Sequence, residues 1–122
     1  MKALVIDDES IVRRALSRAL ESKKHRVFTA DDGRAGLEQW AKCDPDVVFL
    51  DILMPGLSGL QVLKEIGESR RAKVILMSAY TGIHAENDLI NLGADLFLKK
   101  PFADIFEVTK LAEELVNETG RS

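Results

Sequence analysis

The sequence predicts a doubly wound α/β domain, a five-stranded parallel sheet with five helices covering both of its faces. Two observations carry this. Short, wholly apolar runs recur along the chain: Ala3–Ile6 (ALVI), Val47–Leu50 (VVFL), Val74–Met77 (VILM) and Leu96–Leu98 (LFL). Runs of that length read as strands buried on both faces. Between them lie segments whose apolar residues repeat at helical spacing. Strict strand–helix alternation implies right-handed crossovers and helices on both faces. With 122 residues there is enough chain for one domain with a real core and too little for two ordinary ones. The expected organisation is therefore a single domain over residues 1–122.

Each element has its own signal. After the first strand, Ile11, Val12, Ala15, Leu16, Ala19 and Leu20 recur at helical spacing, and Ser10 and Asp8 are the candidate caps. Val27–Ala30 is a mixed, weaker strand, as expected at a sheet edge. Asp31-Asp32-Gly33 is a turn and cap. Ala35, Leu37, Trp40 and Ala41 then form a second apolar stripe, which Asp44-Pro45-Asp46 ends because Pro45 cannot continue a helix. Pro55–Gly59 is a loop from which Ser58 caps a third helix with Val62, Leu63 and Ile66 inward. A fourth helix is expected over roughly His84–Leu92, with a thin stripe of Ala85, Leu89 and Leu92 and a stop at Gly93. Ile105, Val108, Leu111, Ala112 and Leu115 mark the last.

Composition narrows the function classes. Hydrophobic residues make up 46% and charged residues 30%, ordinary for a soluble globular protein. Seventeen basic side chains against 20 acidic ones, a formal net charge of −3, argue against a dedicated nucleic-acid binder. The run Lys23-Lys24-His25-Arg26 reads as a solvated turn. A lone Cys43 permits no internal disulfide and points to a reducing compartment, the cytoplasm. No signal peptide is visible, and no apolar run approaches the ~20 residues of a membrane span.

The candidate site lies where the strands end. Asp7 and Asp8 follow the first apolar run, Asp51 follows VVFL, Ser78 follows VILM, and Lys100 follows LFL after Lys99. In an open parallel sheet the loops after the strands gather at one edge, where ligands bind. A DD pair alone reads as a helix cap. With Asp51 it places three carboxylates together, and like charges packed together disfavour ionisation. Bound Mg²⁺ resolves that repulsion, since it takes oxygen ligands and keeps room for a phosphate. A carboxylate beside such a cation can also serve as a nucleophile and form an aspartyl phosphate. Lysine supplies a compact positive charge for a phosphoryl oxygen, and Ser78 supplies a hydroxyl.

The pieces VIDDES, FLDILMPGLSG, LMSAY, GAD and LKKPF stand in order along the chain. In that order and spacing the chain resembles the receiver domain of two-component response regulators, the CheY-like family, from Lys2 to about Asn117. The resemblance implies sheet order 2-1-3-4-5 and Asp51 as phosphoacceptor. It implies Asp8 as a direct Mg²⁺ ligand, Asp7 as a ligand acting mainly through water, and the backbone carbonyl of Leu53 as the third protein ligand. Mn²⁺ is expected to substitute for Mg²⁺. Ser78 and Lys100 are implied as contacts of the phosphoryl oxygens, and the Lys100–Pro101 bond is expected to be cis. Phe97 falls on the aromatic switch position and lacks the hydroxyl of the commoner Tyr. Leu53 and Tyr80 hold the two variable positions that border the approach of water, so a long-lived phosphoaspartate is expected.

The implied function is a phosphorylation-activated signalling switch, not an enzyme, although it assists its own phosphorylation and dephosphorylation. The expected donor is a sensor histidine kinase or a phosphotransfer protein. Phosphorylation is expected to change the face formed by the fourth helix, fifth strand and fifth helix. No nucleic-acid or membrane partner is implied. A haloacid-dehalogenase-type phosphatase is disfavoured because Leu53 stands where its general acid would be. A Rossmann nucleotide module is disfavoured because no GxGxxG or GxxxxGK[ST] occurs. A receiver-like interaction module without phosphorylation is disfavoured by the intact acidic set with Ser78 and Lys100. A receiver domain that is part of a longer regulator is equally compatible with the sequence.

Overall fold

The computed structural model describes residues 1–67, 70–79 and 93–120. Five strands form one parallel sheet: β1 (Lys2–Ile6), β2 (Arg26–Ala30), β3 (Val47–Asp51), β4 (Lys73–Ser78) and β5 (Leu96–Lys99), in the order β2-β1-β3-β4-β5. Helices α1 (Ser10–Ser22), α2 (Gly33–Cys43) and α3 (Gly59–Ile66) and a C-terminal helix (Ile105–Gly120) surround it. Four of the five expected helices thus fall among the described residues. The fourth, over 84–92, lies outside them, as does Tyr80.

The apolar runs form strands because both faces of the sheet are covered. Leu4, Ile6, Val48, Leu50, Val74 and Leu76 point to one core with Trp40 and Cys43 of α2 and Val62 and Leu63 of α3. Ala3, Val5, Val47, Phe49, Ile75 and Met77 point to the other, with Leu16 and Leu20 of α1 and Val108 and Ala112 of the C-terminal helix. Alternate residues of each run feed opposite cores, so no position in the run tolerates a polar side chain. Each fully buried branched side chain contributes about 1.5–3 kcal/mol. Among the described residues no helix is long and apolar enough to cross a membrane.

Several local expectations are corrected. Glu9 occupies the N-cap of α1, and neither Ser10 nor Asp8 caps it. Asp7 Oδ1 instead accepts the Glu9 N–H at 2.9 Å, and Ser10 is already the first helical residue. The inner stripe of α1 is Val12, Leu16, Ala19 and Leu20. Ile11, 76% exposed, and Ala15 sit one step around the helix and face outward. In α2, Ala41 is exposed, and Gly36 and Cys43 take the inner face with Trp40. His25 is more than part of a solvated turn. Its Nε2 lies 2.7 Å from Glu113 Oε2 and its Nδ1 lies 3.1 Å from the amino terminus, joining α1's exit to the C-terminal helix.

Other local signals hold. Asp32 caps α2 by accepting from the Ala35 N–H at 2.7 Å, and Ser58 and Gln61 form a reciprocal capping box on α3. Asp44 ends α2 in the left-handed conformation before Pro45. Arg70 was not singled out by the sequence, yet its guanidinium staples three segments. It donates to the Gly67, Ala72 and Gly93 carbonyls and to Asp95, whose Oδ2 also accepts from the Val74 N–H.

Candidate functional site

Parallel register brings the strand ends to one edge. Ile6 pairs with Leu50, Asp51 with Met77, and Ser78 with Lys99. Asp7, one residue past β1, Asp51, the last residue of β3, and Ser78, the last residue of β4, therefore stand side by side. Lys100 follows directly after β5, its backbone N–H bonded to the Ser78 carbonyl at 2.9 Å. The Lys100–Pro101 peptide is cis. The loop from Pro55 to Gly59 returns α3 close beneath the end of β3. A Cβ on Gly59 would stand 2.2 Å from the Asp51 carbonyl oxygen, so only glycine fits that approach.

Asp7, Asp8 and Asp51 each offer a carboxylate oxygen within 4.8 Å of the others. Asp7 and Asp51 are buried and Asp8 is exposed. Both Asp7 oxygens are engaged, Oδ1 by the Glu9 N–H and Oδ2 by Lys100 Nζ at 3.0 Å. Lys100 Nζ also donates to Glu9 Oε1 at 2.8 Å and lies 3.4 Å from Asp51 Oδ1. The sequence-predicted Asp7, Asp8, Asp51, Ser78 and Lys100 are thus brought together. Leu53 lies in the loop just after β3 with its side chain 58% exposed. Phe97 lies in β5 opposite Leu76 and packs half-buried on the α2–α3 core, two register steps below the Ser78–Lys99 pair. Glu9 was missed. Its signal was its place directly after Asp7-Asp8, where it reads as a helix-start acid rather than a partner for a lysine 91 residues away.

The electrostatics follow from three carboxylates around one ammonium, with Asp8 beside Asp51. Burial, reinforced by the Asp7 charge, pushes the Asp51 carboxyl up to about 7, with Lys100 opposing. Burial opposes the charge on Lys100. The hydrogen bonds to Glu9 and Asp7 and the Asp7 and Asp51 charges outweigh it and hold the ammonium above the ordinary lysine range. An all-oxygen donor set with excess negative charge suits a hard divalent cation such as Mg²⁺ or Mn²⁺. Beside this edge an open groove of about 410 Å³ runs between α1 and the start of the C-terminal helix. It is walled by Ile11, Val12, Phe102 and Ile105, and its lining includes Glu9 and Lys100.

Comparison with known proteins agrees with this fold. The response regulator receiver domain family matches residues 3–112. The chain is 36% identical over 113 residues to regulatory protein AtoC of Escherichia coli, covering 92% of this chain and 24% of that protein. It is also 36% identical over 121 residues to a protein-glutamate methylesterase/protein-glutamine glutaminase of Archaeoglobus fulgidus, covering 97% and 35%. The chain thus spans about a quarter to a third of the length of these curated relatives. Among solved structures, the receiver domain of the Francisella response regulator 1452 superposes with a TM-score of 0.87 at 28% identity, over 97% of this chain and 98% of that one. The family model spans nearly the whole sheet and the acidic edge with it, and the chain belongs to the response regulator receiver domain family.

Proposed function

We propose that this receiver domain accepts a phosphoryl group on Asp51 from a phosphohistidine donor, a sensor histidine kinase or a phosphotransfer protein. The observation that carries the reading is the convergence of Asp7, Asp8, Asp51 and Lys100 at one sheet edge. Asp51 is the nucleophile: a carboxylate oxygen bonds to phosphorus in line as the bond from phosphorus to the donor's imidazole nitrogen breaks. Asp8, Asp51 and the Leu53 carbonyl would hold the cation directly and Asp7 through water. Asp8 is exposed and adaptable, whereas both Asp7 oxygens are already engaged within the protein. Bound Mg²⁺ supplies positive charge to the phosphoryl oxygens and favours the ionised form of Asp51.

Lys100 then turns an N–H to a phosphoryl oxygen, and Ser78 offers its hydroxyl to another. Drawing Ser78 and Lys100 inward biases the loops after β4 and β5, and with them the face that includes β5 and the C-terminal helix. The apolar groove gives a donor protein a surface beside the acceptor. The domain passes its state to an output domain or to a separate target.

The switch step is tested by amide chemical shifts with Mg²⁺ before and after beryllofluoride, which mimics the phosphoryl group. Lys100→Ala is expected to accept a phosphoryl group still, at reduced rate, while β5 and the C-terminal helix respond weakly or not at all. A full parental response in that variant contradicts the role given to Lys100.

A second expectation concerns lifetime. Leu53 cannot hydrogen-bond a water in line with the acyl phosphate, and Tyr80, outside the described residues, holds the other position that the family resemblance implies borders this approach. Excluding or failing to orient water slows hydrolysis of a reactive intermediate. Leu53→Asn combined with Tyr80→Glu is expected to shorten the phosphoaspartate half-life by roughly tenfold, less than the roughly 100-fold or more of full general acid–base catalysis, because the new side chains only help orient the water. An unchanged dephosphorylation rate would remove the shielding idea.

A further inference from the structure

Lys100 has as many carboxylates around it as it has N–H donors. An ammonium has three N–H donors. Here two are donated, to Glu9 Oε1 at 2.8 Å and Asp7 Oδ2 at 3.0 Å, and Asp51 Oδ1 stands at 3.4 Å as an ion-pair partner. A phosphoryl group on Asp51 replaces that contact with several anionic oxygens set farther out, and an ammonium drawn to them exchanges one of its two donated bonds. The environments decide which. Asp7 is fully buried, and releasing it strands a carboxylate away from water. Asp51 is the group being modified. The Glu9 side chain is 60% exposed, so water replaces its bond at least cost.

The backbone of Glu9 need not move in this exchange. Its N–H is held by Asp7 Oδ1, and its carbonyl accepts the Arg13 N–H at 3.2 Å as the helix cap. Only the side chain has to swing away. Glu9 does not help the N-cap through its carboxylate, since no side-chain cap bond forms there. The one hydrogen bond found for that carboxylate among the described residues comes from Lys100.

We propose that Glu9 is a positioning residue for Lys100: it holds one ammonium N–H while Asp51 is unmodified and gives that N–H up to the incoming phosphoryl group. The inference rests on the assignment of Asp51 as acceptor and adds a resting-state latch to it. Glu9 thereby sets a threshold for phosphorylation, because the Lys100–Glu9 bond must break before Lys100 can serve the phosphoryl oxygens. Its charge at the mouth of the site also opposes an anionic donor. Glu9→Gln removes the charge and weakens the bond. Glu9→Asp keeps the charge but shortens the side chain by one methylene, so the 2.8 Å contact is lost.

The test measures the rate of acetyl phosphate labelling at saturating Mg²⁺ for the parent, Glu9→Gln, Glu9→Asp, Lys100→Ala and Glu9→Gln/Lys100→Ala. Glu9→Gln is expected to label about three to tenfold faster than the parent, the scale of losing one charge-assisted surface bond. Glu9→Asp is expected to accelerate in the same direction, because the latch depends on reach. In the Lys100→Ala background the Glu9→Gln gain should fall below about twofold, since the latch has nothing left to hold. A change in stability alone would not produce that coupling. Parental rates in both Glu9 variants, or an equal gain with and without Lys100, would overturn the latch while leaving Asp51 as acceptor. No labelling of the parent at all would overturn the acceptor assignment and the latch with it.

Discussion

Asp51→Asn is expected to abolish covalent labelling by acetyl phosphate in Mg²⁺ while leaving the fold intact. Asn is nearly isosteric, so the packing at the end of β3 survives. Its amide lacks the anionic oxygen that attacks phosphorus. The same substitution is expected to stabilise the cation-free domain at alkaline pH. Asp51 has its carboxyl raised from 3.8 to about 7 in the folded state by burial and the Asp7 charge. Between those values the folded state holds more protons than the unfolded one, so stability falls as pH rises through the window. Below it the penalty is absent. In excess EDTA at pH 8, Asp51→Asn should therefore be more stable than the parent by on the order of 4 kcal/mol. The gap should close as pH approaches 4. Chemical denaturation at the two pH values checks this. A parent at least as stable as the variant at pH 8 would mean that the buried carboxyl is not strained.

The second large effect is on cation binding. Removing Asp8, the exposed member of the acidic triad, is expected to weaken Mg²⁺ or Mn²⁺ by roughly tenfold or more, because ligand charge and number set affinity for hard cations. Asp7→Ala should weaken it less, since the Asp7 oxygens are already committed to Glu9 and Lys100. Calorimetric titration of the parent and both variants separates the cases. Equal affinity for the parent and the Asp8→Ala protein would show that the cation, if bound, sits elsewhere.

Much of this arrangement was legible in the chain because it follows from burial. A strand covered on both faces needs consecutive apolar residues, so ALVI, VVFL and VILM announced themselves, and the residues after them were fixed at one edge by parallel topology. Ser58 and Asp32 were legible because capping is local in sequence. What escaped reading depends on long-range contact. Glu9 meets Lys100 across 91 residues and His25 meets Glu113 across 88, distances over which no periodicity carries information. Ile11 and Ala41 were misplaced for a different reason. An apolar stripe is wider than the row of residues that reaches the core, and spacing alone does not tell which flank turns outward.

The central claim is that Asp51 forms the acyl phosphate. The most direct measurement is to react the protein with acetyl phosphate and Mg²⁺, reduce it with borohydride, and map the peptides by mass spectrometry. Reduction of a phosphoaspartate leaves homoserine at the modified position. Homoserine at position 51, absent when EDTA replaces Mg²⁺, is the predicted result. Homoserine at position 7 or 8 instead, or at position 51 to the same extent without the cation, would contradict it.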